Sequence, residues 1–266
     1  IIMKNKYNYM KYRTLGKTGI KSSILGFGAM RLPTIDNNPE HVDINETEMM
    51  IEYAINHGVN IFDTAWVYHT TDRSKPGVSE TILGDILSRG FYDKVHISTK
   101  MPSWEIKSWE YFDTTLDKQL ERLKTDTIDL FFVHSIKDSF YENIKEGGLY
   151  EFVDRAISDG RIKHVCFSTH GSYELLNQIL DDYDKWECVL TQLNYLDETD
   201  NTGLRGVEKI NKLGLGTIIM EPLRGGKLAQ KQPSTVQEIF KKSSKSYTLL
   251  NGLLTIYGIK KKLTVF

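Results

Sequence analysis

Cysteine is scarce in this chain, which has only Cys166 and Cys188 among its 266 residues. Two cysteines cannot build a disulfide framework, and their separation matches neither a CxxC pair nor the ligand spacing of a zinc site. Because structural disulfides belong to oxidising compartments, the composition favours the reducing cytoplasm.

Long apolar runs and an excess of one charge are also lacking. No run reaches the roughly 18 apolar residues of a membrane-spanning helix, and the N-terminal segment has no apolar core of signal-peptide length. The formal net charge of -1 gives no attraction to nucleic acid or to an anionic membrane. We therefore expect neither as a partner, and a content of 40% hydrophobic and 26% charged residues indicates an ordinary globular protein.

What the sequence does contain is an alternation of short apolar runs with amphipathic segments. Runs rich in isoleucine and valine are typical of strands buried on both faces, and they lie at 22–28, 59–65, 94–100, 127–135, 162–169, 188–195 and 215–222. Apolar residues recur at helical spacing in the segments 46–57, 110–123, 148–159, 172–182 and 203–213. Such strand–helix units predict a parallel sheet with helical crossovers.

Two architectures contain such a sheet, an open doubly wound sheet and a (β/α)8 TIM barrel. Polar residues stand at the ends of several different strands, namely Asp63, Lys100, His134, Ser168 and Gln192. Barrel active sites are built at the carboxyl ends of several strands, so the sequence favours the barrel. We see no linker, and we expect one α/β domain over residues 1–266.

Two other motifs carry little weight. The string "GFGAMR" begins like a dinucleotide-binding fingerprint, but Arg31 occupies the position of its third glycine. His164, Cys166 and His170 lie on one strand and its following loop, and no carboxylate motif joins them. We expect ordinary strand residues there and no metal site.

Four titratable residues at or near strand ends make chemical sense as a set: Asp63, Tyr68, Lys100 and His134. A phenol with a pKa of about 10 donates a proton slowly at neutral pH, and a neighbouring ammonium lowers that pKa. An aspartate would hold the lysine, and a histidine can donate a hydrogen bond to a carbonyl oxygen. Together they can protonate an alkoxide as it forms, although each residue alone also has a purely structural interpretation.

The strings "GVNIFDTAWVY", "SETILGDIL", "VHISTK" and "IDLFFVHS" resemble the aldo-keto reductase family, and the resemblance runs from about residue 11 to about residue 247. It implies a (β/α)8 barrel that reduces aldehydes or ketones with NADPH and without a metal. By motif, Asp63, Lys100 and His134 match three of the family's catalytic positions, and Tyr68 matches its proton donor.

The same resemblance implies cofactor contacts by Gly28, Ala29, Met30, Ser168, Thr169, Gln192, Met220, Pro222, Leu223 and Arg224. Ser168 and Gln192 match the residues that hold the nicotinamide carboxamide. Thr169 stands where the family usually has asparagine, and Met220 stands where an aromatic ring often stacks on the nicotinamide.

The strings "FSTHGS", "TQLNYLDE" and "IMEPLRGGKL" are similar to one subgroup of the family, whose longer members carry a ferredoxin-like segment with iron–sulfur cysteines. This chain has no such cysteine cluster. We therefore expect no iron–sulfur cluster and no electron transfer through one.

The end of the chain departs from the family. After "QEIFKKSSKSY" the family should supply a helix, an eighth strand and a basic loop for the adenosine 2′-phosphate, whereas this chain continues "TLLNGLLTIYGIKKKLTVF". Either a reading-frame shift near residues 248–250 or a divergent C-terminal helix explains this tail. We expect an incomplete barrel, with strand eight missing or altered, and a polypeptide that is unstable or binds NADPH weakly. The alternative function is a non-catalytic or poorly folded truncated relative of the family, or a regulatory binding protein.

Overall fold

The computed structural model describes residues 10–106, 108–230, 233–242 and 263–265. An antiparallel hairpin of β1 (Tyr12–Thr14) and β2 (Lys21–Ser23) comes first. The main sheet is parallel, and its strands lie side by side in chain order. These strands are β3 (Phe27–Gly28), β4 (Ile61–Asp63), β5 (His96–Pro102), β6 (Ile128–Ile136), β7 (Ile162–Thr169), β8 (Cys188–Gln192), β9 (Gly216–Met220) and β10 (Leu263–Val265).

Helices connect successive strands of this sheet. They are α1 (Ile44–Asn56), α2 (Ser79–Leu87), α3 (Trp109–Leu123), α4 (Tyr141–Glu146), α5 (Leu149–Ser158), α6 (Tyr173–Asp182), α7 (Gly203–Lys212) and α8 (Ser234–Lys242). The repeated order of strand and helix confirms the expected α/β class of (β/α)8 type, and each of the seven predicted apolar runs overlaps a strand of the sheet. Within the described part of the chain, no helix is both long and apolar enough to cross a membrane.

Side chains of the strands alternate between two apolar layers. The inward layer contains Ile61, Leu130, Phe132, Cys166, Cys188, Leu190 and Ile218. The outward layer packs against the helices and contains Phe62, Phe131, Val133, Val165, Phe167 and Val189. Since successive strand residues point to opposite faces, the inward face of β4 continues from Ile61 to Asp63, and that of β6 continues from Phe132 to His134.

The hairpin covers the end of the sheet where the strands begin. Leu15 and Ile20, which lie between β1 and β2, pack with the inward apolar layer. The backbone of Gly16 has a φ of 51°, and a Cβ there would lie 1.9 Å from the Gly216 nitrogen. Only glycine permits this close approach to the start of β9. The opposite end, where the strands finish, stays accessible.

The position of an eighth parallel strand is filled by β10. Its residues pair with β9 in the register Leu263–Thr217, Thr264–Ile218 and Val265–Ile219. The C-terminal end is therefore altered, as one form of the expectation had it, but the strand itself is not missing. No pairing joins β10 to β3 among the described residues. The reading-frame and divergent-helix interpretations of the tail concern residues that otherwise lie outside the described part.

Candidate active site

The carboxyl ends of β4 and β5 bring Asp63 and Lys100 together inside the sheet. The Lys100 ammonium forms an ion pair with the Asp63 carboxylate and donates to the Thr64 carbonyl oxygen at 2.7 Å. The Ser98 hydroxyl donates to the other oxygen of Asp63. Lys100 is only 1% exposed, so its ammonium depends on these oxygens for solvation.

The pKa values of this pair follow from burial and from the partner charge. Burial lowers the pKa of Lys100. Asp63 and Tyr68 together raise it by more than burial lowers it, so the net shift is upward. Burial raises the pKa of Asp63, while the Lys100 ammonium and the Ser98 hydroxyl oppose that rise. The lysine therefore stays protonated at neutral pH.

Tyr68 lies on the loop that follows β4, with its ring beside this ammonium. The Lys100 Nζ atom is 4.6 Å from the centre of the Tyr68 ring. The loop returns on itself, because Gly77 N donates to Trp66 O at 2.7 Å and Ser79 N donates to Tyr68 O at 3.3 Å. These bonds between loop residues fix the position of the phenol.

The sequence-based expectation that Lys100 lowers the pKa of Tyr68 is corrected by the structure. Burial of the phenol raises its pKa, and this effect outweighs the opposing charge of Lys100. The phenol is therefore fully protonated at neutral pH in the protein without a ligand. The lysine can stabilise a phenolate only once one is formed.

His134, at the carboxyl end of β6, lies on the other side of Tyr68. The two ring centres are 6.0 Å apart in an edge-on arrangement, and Trp104 flanks His134 at 5.3 Å. Burial lowers the pKa of His134 well below its ordinary value, and the charges of Lys100, His170 and Arg73 add to that effect. A neutral imidazole carries one N–H group, so His134 can donate one hydrogen bond to an uncharged oxygen.

A cavity of about 490 Å³ opens at the carboxyl ends of the strands and joins these groups. Asp63, Tyr68 and His134 line it, and Lys100 lies directly behind them. The lining also includes residues that the strand pattern did not indicate: Arg31, His69, Arg73, Trp104, His170 and Glu221. All six lie in loops or in short 3-10 turns, where apolar periodicity carries no signal.

Several of the expected cofactor residues lie at this cavity. Gly28, Met30 and Met220 line it, whereas Ser168 and Gln192 are buried and do not belong to its lining. Ser168 is an inward residue of β7, and its hydroxyl oxygen accepts the Ser135 N–H at 2.7 Å. Gln192 ends β8, where its amide nitrogen donates to Asp197 at 3.1 Å and its amide oxygen accepts from Asn201 at 2.9 Å.

The remaining expected cofactor residues also lie outside the cavity lining. Thr169 is buried and faces the helices, and its hydroxyl donates to Ile136 O and accepts from Gly171 N, both at 2.8 Å. Ala29 is buried, and its carbonyl accepts from the Ser79 hydroxyl at 3.0 Å. After β9 the chain buries Pro222, half-buries Leu223 and exposes Arg224.

Two residues of the His164, Cys166 and His170 group have ordinary structural contacts. His164 pairs with Glu187 at 2.9 Å, and Cys166 packs in the inward apolar layer. Across the described ranges, no group of three or more histidine, cysteine, aspartate or glutamate side chains could hold a metal ion.

Comparison with known families gives a match over most of the chain. The profile described as "Aldo/keto reductase family" matches residues 24–261. The chain belongs to the aldo/keto reductase family. It is therefore an oxidoreductase of the carbonyl-reductase type, from a family that generally uses a nicotinamide cofactor.

Individual aldo/keto reductases and solved structures show the same relationship. The chain is 28% identical over 233 residues to 6-dehydroglucose reductase of Novosphingobium aromaticivorans, covering 83% of this chain and 71% of the relative. It is 26% identical over 249 residues to L-glyceraldehyde 3-phosphate reductase of Escherichia coli O157:H7, covering 88% and 67%. The fold is similar to that of an aldo-keto reductase from Bacillus halodurans in its holo form, with a TM-score of 0.77, 20% identity and coverage of 97% of this chain and 85% of that one.

A buried polar network supports the site of this aldo/keto reductase from behind. The Glu80 carboxylate on α2 accepts from the Thr99 hydroxyl at 2.5 Å, the Gln119 amide at 2.7 Å and Arg122 Nε at 3.0 Å. Arg122 also donates to the Gly77 carbonyl in the Tyr68 loop. Glu80 is completely buried, so the network joins α2, β5 and α3 to the loop that carries the phenol.

Proposed function

We propose that the chain reduces an aldehyde or ketone to an alcohol with NADPH, and that Tyr68 donates the proton. One observation carries the proposal: a single cavity is lined by a phenol and a neutral imidazole, with a buried ammonium 4.6 Å behind the phenol ring. A carbonyl oxygen between Tyr68 and His134 would meet a proton donor and a hydrogen-bond donor at once.

Each residue has a distinct task in this reaction. When bound, the nicotinamide supplies a hydride to the carbonyl carbon. As negative charge develops on the carbonyl oxygen, Tyr68 gives it the phenolic proton and becomes a phenolate. Lys100, held by Asp63, lies where its positive charge stabilises that phenolate. The N–H group of His134 donates a hydrogen bond to the same oxygen and orients the carbonyl.

The residues around the cavity fit the nicotinamide end of such a cofactor. Leu190 and Met220 offer apolar surface for a planar ring. Gly28 has no side chain, so the cofactor can come close to the backbone there. Ser168 and Gln192 would hold the carboxamide. Asp197 and Asn201 fix the orientation of the Gln192 amide. The choice of NADPH over NADH rests on the family resemblance alone, because the sequence has no counterpart of the basic loop that the family uses for the 2′-phosphate.

The names of the two relatives guide the choice of substrates to assay. One relative is named for 6-dehydroglucose and the other for L-glyceraldehyde 3-phosphate. We propose that this chain likewise acts on a small hydroxylated aldehyde or ketone. The cavity volume of about 490 Å³ lies within the usual range for small-molecule sites.

The test measures the oxidation of NADPH in the presence of a generic aldehyde, monitored as the loss of NADPH absorbance. Tyr68→Phe should lower kcat by about 10²–10⁴-fold, the usual contribution of a positioned acid, while NADPH binding measured by fluorescence stays unchanged. Tyr53→Phe is a matched control, because Tyr53 is an exposed tyrosine on α1. Equal rates for Tyr68→Phe and wild type would refute the assignment. NADPH binding without turnover in wild type would support the non-catalytic alternative.

A further inference from the structure

We propose that the cavity selects carbonyl substrates that carry a carboxylate or phosphate group, and that Arg31 and Arg73 bind this group. The inference rests on the proposed function, because it names the substrate class of the same site.

Arginine is usually paired in this protein. Six arginines form an ion pair or lie over an aromatic ring: Arg89, Arg122, Arg155, Arg161, Arg205 and Arg224. Arg31 and Arg73 form no hydrogen bond, ion pair or ring contact with any residue in the described ranges. Both line the cavity. The two guanidinium groups that have no partner among the described residues are thus two that line the cavity.

Acidic groups that could pair with these arginines are engaged elsewhere. Asp63 is neutralised by Lys100. Asp72, next to Arg73 in sequence, accepts from Ser74 and pairs with Lys75 at 3.2 Å. Glu40 accepts from both the backbone and the hydroxyl of Thr71. Asp72 and Glu40 therefore lie near this loop, but they have other partners and do not line the cavity.

The remaining acid of the cavity belongs to a different loop. Glu221 follows β9. Burial lowers the pKa of His170, on the loop after β7, and the negative charge of Glu221 opposes that shift without reversing it. Arg31 follows β3, and Arg73 lies in the loop after β4, which is the neighbouring strand. The Arg31 guanidinium reaches toward the loop after β9, where a Cβ on Gly225 would lie 3.6 Å from it.

Both guanidinium charges act on the proposed reacting groups. The charge of Arg31 favours the phenolate form of Tyr68. The charge of Arg73 disfavours the protonated form of His134. A substrate whose carbonyl oxygen lies between Tyr68 and His134 would place an anionic group, a few bonds away, within reach of these side chains. Guanidinium groups suit this task because their planar N–H groups match carboxylate and phosphate oxygens.

The first experiment compares aldehydes that differ only in charge. The pairs are 4-oxobutanoate with butanal, and glycolaldehyde phosphate with glycolaldehyde. Wild type should prefer the anionic member of at least one pair by about tenfold or more in kcat/KM. Arg31→Ala and Arg73→Ala should each lower kcat/KM for that anion by about tenfold or more, because a hydrogen bond to a charged group is lost. Values for the neutral member should fall much less, because it has no anionic group for either arginine to bind.

Two matched variants separate direct contact from general charge. Lys75→Ala removes a positive charge from the same loop as Arg73, but Lys75 does not line the cavity. It should leave the preference for the anion unchanged. Arg73→Lys keeps the charge without the planar fork and should recover part of the preference. A preference that falls equally in Lys75→Ala and Arg73→Ala would overturn the proposal.

A second readout separates substrate binding from cofactor binding. The affinity for NADPH, measured by fluorescence, should be the same in Arg31→Ala, Arg73→Ala and wild type. If these variants lose NADPH affinity and slow both members of a pair equally, the arginines bind a cofactor phosphate and the inference is overturned.

The inference and the proposed function can fail separately. Turnover of butanal without a preference for either anion would overturn the inference and leave the proposed function standing. If no aldehyde is reduced, the proposed function fails, and calorimetric titration with butanoate and butanamide still decides the inference. Butanoate should bind to wild type more tightly than butanamide, and Arg73→Ala should remove that difference; equal or absent binding of the two would overturn the inference.

Discussion

The buried ion pair between Asp63 and Lys100 provides a prediction about stability that is independent of the chemistry. Lys100→Met leaves the Asp63 carboxylate buried, with the Ser98 hydroxyl as its remaining partner. Asp63→Asn leaves the Lys100 ammonium buried, with the Thr64 carbonyl as its charge-stabilising neighbour. Because each change strands one charge in an apolar interior, each should lower the free energy of unfolding by about 3–5 kcal/mol.

The double variant distinguishes this reasoning from simple loss of packing. Asp63→Asn with Lys100→Met removes both charges and keeps similar side-chain volumes. Replacing a buried pair by uncharged groups is often close to neutral, so the double variant should lie within about 2 kcal/mol of wild type. Two independent losses would instead add to about 6–10 kcal/mol. The difference between these two results is large enough to measure.

Urea unfolding followed by circular dichroism measures all four proteins of this cycle. In thermal unfolding, each 1 kcal/mol should correspond to roughly 2–4 °C for a chain of this size. A single variant that loses less than about 1 kcal/mol would refute the claim that the pair is desolvated. A double variant that simply adds the two losses would refute the claim that stranded charge is the cause. Aldehyde reduction should be lost in the double variant even where its stability returns.

Three further predictions concern residues around the Tyr68 loop. Gly77→Ala should lower both the melting temperature and kcat, because an added Cβ would lie 1.9 Å from the Tyr68 carbonyl oxygen. Unchanged values would show that the loop can shift to accommodate the methyl group. Glu80→Gln should cost about 1–3 kcal/mol in urea unfolding, since it weakens the buried acceptor of Arg122, and a neutral result would argue that the network is dispensable. His69→Gln should reduce the loss of melting temperature between about pH 7.5 and about pH 5, and an unaltered pH dependence would exclude His69 as its source.

The sign of the His69 effect follows from its contacts. Its Nε2 atom accepts the Leu32 N–H at 2.8 Å, and its Nδ1 atom contacts the Pro39 carbonyl at 2.7 Å. This arrangement requires the neutral ring, and burial lowers the pKa of His69. The stabilisation is therefore complete above the unfolded-state pKa of about 6.5 and is lost as pH falls through the lower folded-state pKa.

Strand residues of the site could be predicted from the sequence because strand geometry is regular. Asp63 stands two positions beyond Ile61, and His134 stands two beyond Phe132, so both share the inward face of their neighbours. The same rule separates Ser168 from Thr169. These two residues are adjacent, so their side chains must point to opposite faces, and only Ser168 can face the interior. The family resemblance assigned both residues to the cofactor, whereas the alternation of side chains along the strand places them on opposite faces of the sheet.

Loop residues could not be predicted in this way. Arg31, Arg73 and Trp104 reach the cavity through turns whose paths depend on tertiary packing. The short strand β10 was equally hidden, because "LTV" is too brief to show a period and its pairing with β9 is a contact distant in sequence. Both failures arise where local sequence carries no repeating pattern.

The pKa of Tyr68 also shows why the identity of neighbouring residues alone does not determine the direction of a pKa shift. Sequence alone suggests that a neighbouring ammonium lowers the pKa of a phenol, but the structure adds burial, which raises it more strongly. The two effects act at different stages of the proposed reaction. Burial keeps the proton on Tyr68 before a carbonyl oxygen begins to acquire negative charge. The Lys100 charge then acts most strongly on the phenolate that proton transfer leaves behind, and in a dry site that attraction is stronger than in water. A buried phenol with a fixed ammonium is therefore suited to hold its proton until the substrate needs it, which a phenol acidified at rest would not do.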